Sequence, residues 1–191
     1  MELCCARAEA VESFRDAYRT ERYPRVVIPN AIDADAAAEL RALAVDGLQP
    51  FYAADRGRYH VNTDLVDAPL FDSLRVFAER VVGTPLAVGP ARWLRFARGD
   101  YQLLRGDAVE RSERARHVEL TLDFSATETK QAEIVYTDEA ASFSEIFFLP
   151  QLPQSVALVE RGDTFYRYDR YLNQHVGRAE VWRLRLALRF A

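Results

Sequence analysis

Apolar residues over the first eighty positions recur at helical steps. Within 6–22, Ala10, Val11, Phe14, Ala17 and Tyr18 fall at three- and four-residue intervals, the period of one helix face. The β-branched stretch 23–29 predicts a strand. Segment 33–45 is built of strong helix formers and stops at Gly47. A third helix is predicted after Ala68-Pro69, with Leu70, Phe71, Leu74, Phe77, Ala78 and Val81 on one side and Gly83 closing it. Positions 6–82 are thus expected to be mainly helical.

After Gly89-Pro90 the pattern changes to short β-rich runs separated by turn residues. Strands are predicted at 93–96, 101–104, 117–124, 133–136, 145–149, 156–159, 164–172 and 179–190. Helices first and about eight strands afterwards give an α+β chain: a jelly roll, or double-stranded β-helix, over 91–190 backed by helices on one face. A length of 191 residues with 49% hydrophobic content is enough for one domain with a substantial core, and the expectation is a single domain over 1–191.

Charge narrows the partners. A net charge of -4 gives no reason to expect nucleic acid or an anionic membrane. No apolar run of signal-peptide length opens the chain, so the expected location is cytoplasmic. Cys4 and Cys5 are adjacent, without a distant partner, and build neither a disulfide framework nor a zinc site. Lys130 is the only lysine, so arginine supplies the remaining basic side chains.

The densest chemical signal is Arg95-Phe-Ala-Arg-Gly-Asp-Tyr-Gln-Leu-Leu-Arg-Gly-Asp107. It resembles the strand-loop-strand of the prolyl-hydroxylase-like 2-oxoglutarate/Fe(II) dioxygenases, in which an aromatic residue, a Gly-Asp turn and His-x-Asp follow in order. Arg105 stands in the histidine slot. A ferrous oxygenase needs two neutral imidazoles and one carboxylate on one face of the ion, and a guanidinium cannot donate a lone pair. Segments 23–30, 118–124, 153–159 and 181–190 follow in the order of that family's entering strand, second barrel strand, later strand and final strand.

The resemblance implies Asp107 as carboxylate ligand and Arg185, with Arg183 and Tyr101, around the oxo-acid. Two registers compete for the distal histidine. In one, His175 is the ligand, ten residues before Arg185, a separation typical of the family. In the other, 164–172 is the penultimate strand and Tyr166 or Tyr168 fills the slot. His60 and His117 are alternative imidazoles, each more commonly a surface or half-buried histidine. Arg105 and Asp107 are two apart, so on an extended segment they share a face; the guanidinium either replaces the missing cation in an ion pair or turns to solvent. Arg183, Arg185 and Arg189 alternate with Leu184, Leu186 and Leu188, giving the last strand an arginine face that either lines the pocket or forms a solvated exterior. Arg-Gly-Asp occurs at 98–100, 105–107 and 161–163 and reads as turn chemistry.

Two functions remain open. One is an oxygenase using Fe(II) and 2-oxoglutarate on a peptide or small-molecule substrate, with Asp107 and His175 as surviving ligands. The other is a barrel without these cofactors that binds a small anion, metabolite or peptide.

Overall fold

The computed structural model describes residues 8–104, 116–129, 131–173 and 177–191. In chain order the elements are α1 (Ala8–Thr20), β1 (Arg25–Ile28), α2 (Ala34–Val45), β2 (Gln49–Ala53), β3 (Gly57–Asn62), α3 (Ala68–Val82), β4 (Leu86–Phe96), β5 (Tyr101–Gln102), β6 (His117–Asp123), β7 (Ile134–Asp138), β8 (Ser144–Leu149), β9 (Ser155–Arg161), β10 (Phe165–Asp169) and β11 (Val181–Phe190).

The helix ends follow their capping residues. Asp33 accepts from the Ala36 amide at 2.7 Å and Asp67 from the Leu70 amide at 3.0 Å, each satisfying a donor that a first helical turn leaves free. Gly83 ends α3 at φ 82°, and its N–H donates to the Glu79 carbonyl at 2.7 Å. Arg15 of α1 donates from Nε and Nη2 to the Arg80 carbonyl at the end of α3, at 3.0 and 2.6 Å. Among the described residues no helix is long and apolar enough to cross a membrane.

Every strand pairing is antiparallel, in the order β1-β9-β6-β11-β4-β3-β5-β10-β7-β8, with β2 attached to β3. The sheet curls so that β6 and β11 face β7 and β10, a nearly closed barrel. Its end strands approach through side chains: the Arg25 guanidinium lies 4.5 Å from the Phe147 ring centroid, and Tyr23 packs on Phe147 and Phe165. The double-stranded β-helix expected from the strand pattern is therefore present.

Alternation along β6 and β11 divides the molecule into two interiors. Val118, Leu120, Leu122, Leu184, Leu186 and Leu188 are fully buried and join one apolar core with the three helices. The intervening residues face the barrel axis. Phe71, Trp93, Phe124 and Trp182 pack ring to ring in the helix-side core, and the Trp93 indole donates to the Leu65 carbonyl at 3.0 Å.

Two expectations need correction. The half expected to be mainly helical also carries the β2–β3 hairpin, which extends the barrel sheet from β4. The strand expected from Trp93 starts seven residues earlier, at Leu86, and runs through Gly89-Pro90. The register against β11 shifts there, between Leu186 and Leu188. Such an irregularity suits a proline, which has no N–H to give the ladder. A Cβ on Gly89 would meet the Ala187 carbonyl oxygen at 2.8 Å.

The partition predicts where truncation is costly. Leu120→Ala, at a fully buried site, is expected to lose about 2–5 kcal/mol in urea unfolding. Val66→Ala, at 70% exposure, should stay within about 0.5 kcal/mol.

Candidate functional site

The barrel interior is lined by charge. From β6 come Glu119, Thr121 and Asp123; pairing sets Arg185 opposite Thr121 and Arg183 opposite Asp123 on β11. The facing sheet contributes Tyr136 from β7, Arg167 and Asp169 from β10, and Gln102 from β5. Apart from Tyr136, fully enclosed, these side chains belong to residues no more than 5% exposed.

Two carboxylates organise the arginines. Glu119 accepts the Tyr136 hydroxyl on Oε1 at 2.6 Å, while Oε2 lies 2.8 Å from Arg161 Nη1 and 3.0 Å from Arg167 Nη1. Asp169 Oδ1 receives Arg183 Nη1 and Arg185 Nη2, each at 2.5 Å. Arg185 Nη1 also donates to Gln102 Oε1 at 2.9 Å, and Arg183 Nη2 to the Ala132 carbonyl. Each group thus bridges the two sheets or joins one that does.

The environment shifts the protons. Burial alone pushes the Glu119 carboxyl up, but Arg167, Arg161 and Arg185, with the Tyr136 hydroxyl, outweigh it and hold the group well below the usual carboxylate range. Burial and the Glu119 charge push Tyr136 well above the ordinary phenol value. Asp123 goes the other way. Its Oδ1 accepts from the Ser125 amide and from Gln151, and Arg183 Nε is 3.8 Å from Oδ2, yet burial dominates and raises it. Burial lowers Arg183.

Arg161, Arg167, Arg183 and Arg185 therefore confront Glu119, Asp123 and Asp169 across the described interior. Arg92, half-buried, stands opposite Arg185 in the register. Buried polar atoms around Arg185 also have no hydrogen-bond partner among the described residues: its own Nε, Gln102 Nε2, Thr121 Oγ1 and Asp169 Oδ2. Three of them can donate, which suits a carboxylate or similar oxyanion.

Arg183 and Arg185 thus lie inside the barrel, whereas Arg189, the third residue of the arginine face, is exposed. Arg105, Asp107 and His175 lie outside the described residues. Tyr101 is on the face of β5 opposite Gln102. Tyr166 and Tyr168 likewise flank the inward Arg167: the Tyr166 hydroxyl donates to Glu139 Oε2 at 2.9 Å and the Tyr168 hydroxyl to Glu145 Oε1, both on the outer side. His117 opens β6 beside Arg161 and Arg189, whereas His60 pairs with Arg95 on β3, with β11 and β4 between their strands. His60 is lowered by burial and by Arg95, and its Nδ1 is 4.0 Å from Asp100 Oδ2. Gly99 at φ 89°, with the Ala97 amide donating to Asp100, makes 98–100 a turn as expected. Arg161, expected only as a turn residue, is instead a partner of Glu119.

The described interior residues supply no set of ligands for ferrous iron by themselves, and the expected ligands Asp107 and His175 lie outside them. Among the described residues no group of three or more His, Cys, Asp or Glu side chains could hold a metal. The guanidinium that the family resemblance offers to an oxo-acid is already held by Asp169 and Gln102. Sequence reasoning missed Glu119, Asp123, Tyr136, Arg167 and Asp169. The available signal was polar alternation in β6, whose Glu119 and Asp123 match with opposite sign the arginine face of β11.

No protein-family model and no curated protein sequence matches the chain. Solved structures do. A prolyl-4-hydroxylase from Pseudomonas putida superposes with a TM-score of 0.64 at 14% identity, over 95% of this chain and 99% of that one. An oxidoreductase of the 2OG-Fe(II) oxygenase family from Burkholderia pseudomallei gives 0.69 at 14% identity, over 94% and 90%. A Trichoplax adhaerens prolyl hydroxylase in complex with a hypoxia-inducible-factor oxygen degradation domain peptide fragment gives 0.68 at 8% identity, over 96% and 90%. At such identities the likeness is one of fold: the chain has the double-stranded β-helix architecture of the 2-oxoglutarate/Fe(II) oxygenases.

Proposed function

We propose that this chain is an oxygenase-fold protein with an incomplete iron triad, Arg105 standing in the first histidine slot, and that its barrel binds a small carboxylate around Arg185 without ferrous chemistry. The observation that carries the reading is the set of buried donors with no hydrogen-bond partner among the described residues, Arg185 Nε, Gln102 Nε2 and Thr121 Oγ1. A buried donor without an acceptor is costly, and an oxyanion supplies one. A ferrous ion adds charge of the wrong sign. At an effective dielectric of about 20, a guanidinium about 4 Å from a divalent ion is opposed by roughly 8 kcal/mol before relaxation.

The oxygenase reading keeps Asp107 and His175 as ligands and places 2-oxoglutarate on Arg185; the likeness of fold favours it. Metal analysis and an oxo-acid titration in chelator separate the two. The anion reading expects little iron, no succinate production and saturable binding of 2-oxoglutarate or a related carboxylate in chelator. Arg185→Lys should weaken that binding by roughly tenfold or more, because lysine cannot reproduce the planar fork. Stoichiometric iron with steady succinate production would falsify it. Under the oxygenase reading Arg105→His raises iron affinity; under the anion reading carboxylate binding is independent of added iron.

The network also predicts a pH dependence. Glu119 is held below its ordinary value of 4.5, so its stabilisation is full above that pH. As pH falls further, the unfolded chain takes up a proton that the folded protein does not, and stability declines. Asp123, raised by burial, has the opposite sign and offsets part of the loss. Urea unfolding between neutral and acid pH should show stability falling, with a shallower slope in Glu119→Gln. That substitution should also cost about 3–5 kcal/mol at neutral pH, because it leaves Arg161 and Arg167 without their carboxylate. An unchanged slope would remove Glu119 from the account.

A further inference from the structure

The three helices cover the β6–β11 side of the barrel, and among the described residues no helix covers the outer side of β5 and β10. Because Gln102 and Asp169 are paired and point inward, alternation puts Tyr101, Leu103, Tyr168 and Arg170 on this outer face. They line a surface cleft of about 560 Å³ together with Glu145, Asp169 and Tyr171. The Tyr101 and Tyr171 rings are 6.1 Å apart at 50°, forming two walls of a V, and Tyr168 supplies a third aromatic surface. Tyr171 is 57% exposed and Leu103 39%, so the walls are open to solvent.

The charge at this cleft is unbalanced toward carboxylate. Arg170 is held by Glu133 at 2.7 Å and stands 3.8 Å from Glu145, so two carboxylates face one guanidinium. Aromatic faces attract cations through the ring quadrupole, and carboxylates at the rim reinforce the preference. A second cleft, of about 490 Å³, adjoins the first through Leu103 and Tyr168 and is lined also by Asp55 and Leu104. Its walls are mainly apolar carbon.

We infer that the paired clefts bind a peptide, with a lysine or arginine side chain between Tyr101, Tyr168 and Tyr171 and a neighbouring apolar side chain against Leu103 and Leu104. The adjoining apolar cleft argues for a peptide over a free amine, because a lone cation fills only the aromatic half. The cleft shares Asp169 with the barrel interior, whereas its aromatic walls and Arg170 are on the outer face of β10.

The test uses the full chain, titrated by NMR or tyrosine fluorescence with a short peptide containing Arg-Leu, its Glu-Leu counterpart, and tetramethylammonium. The Arg-Leu peptide is expected to bind in preference to the other two, more weakly as salt rises. Tyr171→Ala should weaken it roughly two- to fivefold, the loss of one exposed cation–π contact. Glu145→Gln should weaken it as well. Circular dichroism of each variant separates a binding loss from a folding loss; Tyr171 is exposed enough for the fold to survive. The inference is overturned by absence of binding, by equal binding of the Glu-Leu peptide or tetramethylammonium, or by folded Tyr171→Ala and Glu145→Gln variants that bind as the unaltered protein does.

Discussion

Charge inside a closed sheet has to be paired across it. Water does not reach Arg183, Arg185 and Arg167, which are 2–3% exposed, so their compensation comes from carboxylates on other strands. Asp169 meets Arg183 and Arg185, and Glu119 meets Arg161 and Arg167, each carboxylate taking two guanidinium groups. These contacts connect β6 and β11 to β9 and β10, so the polar interior ties the two sheets as the leucine core ties the barrel to its helices. A one-residue slip of β6 or β11 would turn these charges into the leucine core and the leucines into the barrel.

The likeness of fold and the chemistry of the interior point in different directions. The architecture is that of ferrous oxygenases, whereas the described interior offers an arginine-rich lining with His117 at one end of β6. Fold fixes where strands run, and function rests on which side chains they carry inward. Here an internal carboxylate, Asp169, sits on the arginine that the family resemblance would reserve for an oxo-acid. Any carboxylate bound at Arg185 must use its remaining Nε–H with Gln102 and Thr121, or displace Asp169. In the proposed anion site that requirement would set the selectivity, through side chains from β5, β6, β10 and β11.

Much of the fold was legible because its signals are local. The helix formers of 33–45, Gly83, the apolar period of α3 and the alternation in β11 each mark an element on its own. The β2–β3 hairpin was not, since Gln49–Ala53 is largely solvent-facing and carries little apolar period. Gly89-Pro90 looked like a boundary, and the bulge that carries it through β4 depends on a partner a hundred residues away. The site was legible only in part. Arg183 and Arg185 stood out as an alternating face, but whether it was interior or exterior depends on β10, whose Arg167 and Asp169 signal nothing until the sheet closes over them.

The most direct measurement is the arginine side-chain Nε–H spectrum of 15N-labelled protein, with Arg185 assigned by substitution. The account predicts that 2-oxoglutarate or a related carboxylate shifts the Arg185 resonance in chelator, and that added Fe(II) causes no paramagnetic broadening of the interior arginines. An Arg185 signal that responds only when Fe(II) is present, with broadening that spreads to Arg167 and Arg183, would contradict it and make the barrel a working ferrous site.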